Sequence, residues 1–495
     1  MYTPYSRRIE AKANFLSLDS PLLHLRGSKT LLEPATSELP YPDYKTAIYP
    51  QLLTKRGYKP NTKMPQSFLS TRAQAVVTNE STNPFHDVTK DSWNPTTNPT
   101  GYINVGVAEN TLMHAAFLKY INKPLTLPAK YLTYNEGGSG STRLKNSIAA
   151  FLNKHLKPAI PLQASHLLPT NGLSSALEHV SWSFADPGEG ILLGRPYYGM
   201  FIPDLSLRSG SVVVPVKFDD VDPLAMDAVG KYEEAILDFQ RRTGKNVKVL
   251  MLCHPHNPLG RCYPRDVLVA LMRLCQRYQV HFVSDEIYAL SVFENGVDEQ
   301  PPAVPFESAL SVDLTGVIDP RLVHVLWGMS KDFGANGIRL GVIISQANRD
   351  VHLALGGSTL YSSVSGLTDH LVSVMLEDFE FTDWYIRRNQ ESLAEGYAYT
   401  TTYLKDHGIE YATGCNAGFF VWMDLGKRFC ALHPGESEGG DIGEKVMRRL
   451  LKKKVFLANG AFCGSERDGW FRIVFTQGDE LLSEALARIV AALEG

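Results

Sequence analysis

The sequence predicts an α/β protein: an open, mostly parallel sheet flanked by helices, with a smaller α+β lobe towards the C-terminus. Two observations lead there. Short apolar runs (GILLG, SVVVPV, VKVLML, QVHFVSD, LVHVLWG and RLGVIIS) alternate with amphipathic stretches such as Pro264–Tyr278, whose Val267, Leu268, Leu271, Met272 and Leu274 recur at helical spacing. These runs are continuous rather than alternating, as expected of strands buried on both faces of a parallel sheet. After about Asn348 the pattern changes to a long helix, Thr382–His407, then one strand, GFFVWMDL, then helix, strand and helix to the end.

Composition sets the frame for these elements. The chain has 495 residues, 44% of them apolar and 20% charged, which is enough to bury a sizeable core. Lys+Arg 49 against Asp+Glu 52 leaves a net charge of −3, so no nucleic-acid partner is expected. No run of apolar residues is long enough to cross a membrane, and MYTPYSRRIEAKANF lacks the apolar core of a signal peptide. Six cysteines without a CxxC pair fit reduced thiols, and the expected location is cytoplasmic. Residues 1–82, rich in Pro, Thr, Ser and Asn towards their end, read as an N-terminal extension with a helical stretch at Tyr5–Leu16. Residues 83–348 read as the large domain, with 83–125 also contributing to the small lobe. Residues 349–495 read as the small domain.

In an open α/β sheet ligands bind beyond the carboxyl ends of the strands. The run VKVLML is followed by CHPHNPLG, with Asn257. QVHFV leads into SDEIY, with Asp285 and Tyr288. LVHVLW leads into GMSKDFG, with Ser330 and Lys331, and Arg339 then opens RLGVII. Upstream, TNGLSSALEHV begins a helix at Gly172, Leu173 and Ser174, and RPYYGMF places Tyr198 after GILLG. One such residue means little, since a lone Asp caps helices and a lone Lys is usually solvated. Together they describe one ligand. A carboxylate can keep a pyridine nitrogen protonated, and a desolvated lysine can form a Schiff base. Tyr and Asn can hold a phenolate oxygen, while a helix N-terminus with an arginine can hold a phosphate. That ligand is pyridoxal 5′-phosphate. Cys253, His254 and His256 crowd one turn without a matching distal pair, so no metal is expected.

At these motifs the chain resembles the fold-type I pyridoxal-phosphate enzymes, and within them the aminocyclopropane-carboxylate-synthase-like branch of the class I/II aminotransferases. The resemblance covers about residues 83–495. It implies a seven-stranded, mostly parallel sheet and a homodimer with the site at the subunit boundary. It also implies roles. Lys331 would carry the cofactor covalently, Asp285 would face its ring nitrogen, and Tyr288 and Asn257 would bind its 3′-oxygen. Tyr198 would stack on the ring, and Gly172, Leu173, Ser174, Ser330 and Arg339 would surround the phosphate. Arg472 in GWFRIVF would clamp a substrate α-carboxylate, with Glu109 in GVAEN beside the amino acid. Three positions depart from the branch: Gly328 replaces a serine, Gly137–Gly140 stand where its loop carries a tyrosine, and Pro203 replaces an arginine. These departures favour β- or γ-elimination or substitution at a side-chain carbon–sulfur bond over ring closure on S-adenosylmethionine. Transamination is the alternative, and a fold retained without turnover is a further one.

Overall fold

The computed structural model describes residues 68–80, 85–356, 359–436 and 438–495. The helix expected at Tyr5–Leu16 and most of the N-terminal extension lie outside them. A short strand β1 (Ile103–Asn104) is followed by seven strands of the main sheet: β2 (Leu167–Thr170), β3 (Gly190–Gly194), β4 (Val212–Val216), β5 (Val247–Cys253), β6 (His281–Asp285), β7 (Val323–Gly328) and β8 (Gly341–Ile344). Their order is β2-β8-β7-β6-β5-β3-β4. Every neighbouring pair is parallel except the two that β8 makes, with β7 and with β2. One strand therefore runs against six.

The central strands are apolar throughout because both faces are covered. Leu192, Val249, Leu250, Val283 and Leu326 are all buried, split between two apolar clusters on either side of the sheet. Arg265–Tyr278 buries Val267, Leu268, Leu271, Met272 and Leu274, with Pro264 at its N-cap where a missing N–H costs nothing. Of the helix Leu173–Phe184, Leu177 enters the core, whereas Trp182 stands 53% exposed. Trp182 lies on the solvent side of the helix, away from the face that buries Leu173, Ala176, Leu177 and Val180.

A second, antiparallel sheet contains β9 (Glu410–Tyr411), β10 (Phe420–Asp424), β12 (Ala458–Asn459) and β13 (Trp470–Val474), packed against the long helix Phe379–Asp406 and the terminal helix Asp479–Glu494. Strand β11 (Val455–Phe456) pairs in parallel with β1, and the Val474 amide donates to the Val105 carbonyl. The segment around residues 103–110 is thereby stitched to the C-terminal sheet. From there it reaches the carboxyl ends of β5, β6 and β7.

Candidate active site

The residues singled out from sequence come from strand ends far apart in the chain. Lys331 sits in a single helical turn, Met329–Asp332, directly after β7, with Ser330 buried beside it. Its Nζ donates to the Ala108 carbonyl at 2.6 Å. Desolvation, with Arg472 next in weight, pulls the amine down to about 8, against the opposing pull of Glu109 and Asp285. Asp285, the last residue of β6, is 4% exposed and accepts the Ile287 amide at 3.1 Å. Burial pushes its carboxyl up to about 7, an effect that the Ile287 N–H and Lys331 only partly offset.

Around these two stand the aromatic and amide groups. Tyr288 is buried edge-on against Phe419 and Phe420, and its hydroxyl, raised by burial, also feels Arg472, Tyr198 and Asp285. Tyr198 is half-buried, set edge-on to Phe201, with its hydroxyl likewise raised by burial. Asn257 accepts Arg472 Nη1 at 2.8 Å. Arg472 Nη2 donates to the Gly106 carbonyl at 2.6 Å, the guanidinium lies over the Phe420 ring, and its buried Nε has no partner among the described residues. Both terminal nitrogens already make bonds, so a two-pronged grip on a carboxylate requires exchange of one of them. The Glu109 side chain is exposed, while its carbonyl accepts from Thr476 and Gln477.

Gly172, Leu173 and Ser174 form the N-terminal end of the helix Leu173–Phe184, where first-turn amides have no intrahelical partner. A side chain on Gly172, whose φ is +111°, would run into the Arg339 guanidinium. The bare Cα and the guanidinium therefore lie face to face at a helix N-terminus, an arrangement suited to a phosphate. A Cβ on Gly341 would stand 2.6 Å from the Gly172 carbonyl carbon, and one on Gly328 would stand 2.7 Å from the Leu340 carbonyl oxygen. Gly328 pairs with Gly341 across β7 and β8. This explains the absent serine: Gly328 carries no side chain because the returning strand leaves it no room.

Sequence reasoning misses one residue here. Asp204, immediately after Pro203, has a buried Oδ2 with no hydrogen-bond partner among the described residues, and its charge acts on both Tyr198 and Asp285. Nothing in its short helix, Phe201–Ser206, marks it, although its place in the stretch after the stacking tyrosine is a signal that could have found it. The histidines near β5 are otherwise engaged: His254 Nε2 with the Glu307 carbonyl, and His256 Nδ1 with the Leu259 amide.

The donor set tests well against pyridoxal phosphate: a buried acid at a strand end for the ring nitrogen, a desolvated amine, a phenol with an amide, and a guanidinium at a helix N-terminus. A doubly wound sheet with this constellation at its strand ends defines the class of pyridoxal-phosphate enzymes. The Aminotransferase class I and II family model matches residues 130–489, and the chain belongs to that family. Its cofactor is pyridoxal 5′-phosphate. The chain is 32% identical over 412 residues to the 1-aminocyclopropane-1-carboxylate synthase-like protein 1 of Takifugu rubripes, a match covering 82% of this chain and 64% of that protein. It is 33% identical over 380 residues to the probable aminotransferase gliI of Aspergillus fumigatus, covering 74% and 84%. It is also 32% identical over 416 residues to the probable inactive 1-aminocyclopropane-1-carboxylate synthase-like protein 2 of Mus musculus, covering 81% and 68%. Among solved structures, the aspartate aminotransferase of Thermotoga maritima superimposes with a TM-score of 0.61 at 19% identity, covering 86% of this chain and all of that one. That of Thermus thermophilus with maleate gives 0.61 at 20%, with the same coverage. These likenesses establish the fold.

Proposed function

We propose that the protein acts on an α-amino acid and breaks or replaces a side-chain carbon–heteroatom bond, carbon–sulfur in the first instance, by β- or γ-elimination or substitution. The observation that carries this reading is Lys331: an amine brought down to about 8, beside Asp285, with Arg472 close enough to act on it. The bound cofactor supplies an electron sink for the pair released at Cα. Asp285 would hold the ring nitrogen of the bound cofactor protonated. Arg472, with its free Nε, takes the substrate α-carboxylate, and the charge of Glu109 acts on the Lys331 amine. Lys331 Nζ removes the Cα proton and holds it for return to the leaving group or to carbon. Elimination asks for little more than this proton shuttle. Ring closure would also need the side chain held rigidly in line, and the loop at Gly137–Gly140 offers little grip: an added Cβ on Gly137 would meet nothing within 4 Å.

The second reading is transamination, supported by the names of relatives such as the probable aminotransferase gliI. It would use the same proton shuttle at Lys331 Nζ. Intact Lys331 and Asp285 speak against a fold kept without turnover. The deciding experiment incubates the enzyme with cysteine conjugates, S-adenosylmethionine and amino acids paired with 2-oxo acids, and follows the products by mass spectrometry. Release of ammonia with pyruvate or 2-oxobutyrate supports elimination. Amino transfer that depends on an added 2-oxo acid, without elimination product, overturns it.

A further inference from the structure

Lys331 stands on a turn too short to hold itself. The helix Met329–Asp332 has four residues, and a single turn fixes more backbone than its own bonds repay. Bonds to other elements steady it. The Tyr385 hydroxyl donates to the Phe333 carbonyl at 2.8 Å, and His114 Nε2 lies 2.9 Å from the Gly334 carbonyl. Within the turn, Asp332 follows Lys331 directly and is 1% exposed. Its Oδ1 accepts the Leu290 amide at 3.1 Å and the Ser291 hydroxyl at 2.8 Å, and its Oδ2 accepts Trp327 Nε1 at 3.0 Å. The segment at Leu290–Ser291 continues from Asp285 and Tyr288, and the Ser291 amide donates to the Tyr288 carbonyl. That segment is also bound to the small lobe. The Ser291 carbonyl accepts the Gly418 amide at 2.8 Å, and the Leu290 carbonyl accepts Gln390 Nε2 at 3.0 Å. Phe419 and Phe420 come next after Gly418. Both rings meet Tyr288 edge-on, and Phe420 lies under the Arg472 guanidinium. One buried carboxyl thus joins the turn of the amine to the chain that runs from the acid and the phenol to the lobe bearing Arg472.

We propose that Asp332 is a positioning residue for Lys331: by its bonds to Trp327, Leu290 and Ser291 it sets the register of the amine against Asp285, Tyr288 and Arg472. The inference rests on Lys331 being the amine that takes the cofactor. A main-chain amide and an indole N–H can only donate, and here they reach the two oxygens of Asp332 from different elements. An asparagine has a single acceptor oxygen. Whichever way its amide is turned, its NH2 group is set against one of these buried donors, and the turn has to give way.

The test uses the full-length protein stripped of cofactor, and two probes separate the amine from the pocket. Pyridoxine 5′-phosphate has no aldehyde and reports the pocket alone, by calorimetry. Pyridoxal 5′-phosphate adds the step at Lys331: the neutral amine adds to the aldehyde carbon, and the aldehyde oxygen leaves as water with both amine protons. Visible absorbance follows this step between about pH 6 and 10, and Lys331→Ala supplies the background from other lysines. In Asp332→Asn its limiting rate should fall by about tenfold or more, and its midpoint should move up from about 8 as the amine leaves its desolvated place. Affinity for pyridoxine 5′-phosphate should stay within about twofold of the wild type. Ser291→Ala removes one donor and leaves two, so it should lower the same rate by about threefold. Circular dichroism checks folding; if Asp332→Asn does not fold, a wild-type rate in Ser291→Ala overturns the proposal. A folded Asp332→Asn that reacts at the wild-type rate overturns it too, however far its melting temperature drops. So does a parallel loss of pyridoxine 5′-phosphate affinity, which would make Asp332 a support of the whole pocket. A Lys331→Ala protein that reacts as fast as the wild type would instead overturn the placing of the cofactor on Lys331.

Discussion

Burial moves the Lys331 amine down and the Asp285 carboxyl up, and both groups can be tested one side chain at a time. The Lys331 amine, lowered to about 8, should react with pyridoxal at a rate that climbs as pH rises through about 8 and then levels, because the neutral amine is the nucleophile. A rate still climbing towards pH 10.5 would contradict the desolvated placement. Lys331→Ala should lose turnover and the visible band of lysine-bound cofactor, with the circular dichroism spectrum unchanged; a yellow, active variant removes Lys331 from its role. Asp285→Asn keeps the shape and discards the charge. We expect its turnover to fall by about a thousandfold, or about 4 kcal/mol, while cofactor still binds; near-normal turnover would dismiss the pairing with the ring nitrogen. At this scale the sequence was most legible where chemistry and strand ends coincide, as at Asn257, Asp285, Lys331 and Arg339. Asp204 was not legible, because a lone acid in a six-residue helix carries no periodicity and no motif. Nor were the Arg472 contacts, since the bond to Asn257 joins positions 215 residues apart.

Among the elements, the strands buried on both faces could be read as continuous apolar runs, and Arg265–Tyr278 as an amphipathic helix. Strand β2, four residues containing a proline, is too short to read, and no apolar pattern reveals that β8 runs backwards. One consequence of the sheet lies opposite the site, where β6 and β7 begin. His324 is fully buried, its Nε2 3.0 Å from His281 Nδ1 and its Nδ1 3.0 Å from Ser345 Oγ, and Phe184 stacks on both rings. Burial lowers both imidazoles, His281 to about 4. A histidine with a depressed folded value stays neutral in the fold while the unfolded chain takes up a proton. Its contribution is therefore present above about pH 6.5 and is lost as pH falls from there. His324→Asn should lower the melting temperature at pH 7 yet show a smaller further drop between pH 6.5 and 4.5 than the wild type. A parallel pair of curves would mean that the histidines do not govern the acid limb.

For the whole molecule, we expect a homodimer. The loop Ala129–Leu132 touches the start of the helix Gly366–Glu377, where a side chain on Gly366 would meet the Tyr131 carbonyl. Leu132, Tyr134 and Leu367, exposed by 77%, 79% and 62%, thus belong to neighbouring segments next to the Gly137–Gly140 loop. Such apolar exposure on adjacent segments suits a two-fold contact. Sedimentation should give twice the 54.9 kDa chain mass at micromolar concentration. Charging the surface by Leu132→Glu with Leu367→Glu should yield monomers; an active wild-type monomer would refute the assembly.

The reversed strand also orders events in time. Because β8 turns back against β7, the amine at 331 and the guanidinium at 339 are brought together by one short connection, whereas a parallel strand would need a crossover of about a dozen residues or more and would start from the far edge of the sheet. Short loops close at small entropic cost, and local pairings form early. Arg472, by contrast, arrives from the opposite end of the chain. Two of the groups assigned to the cofactor therefore come together over a far shorter stretch of chain than Arg472 and Asn257 do.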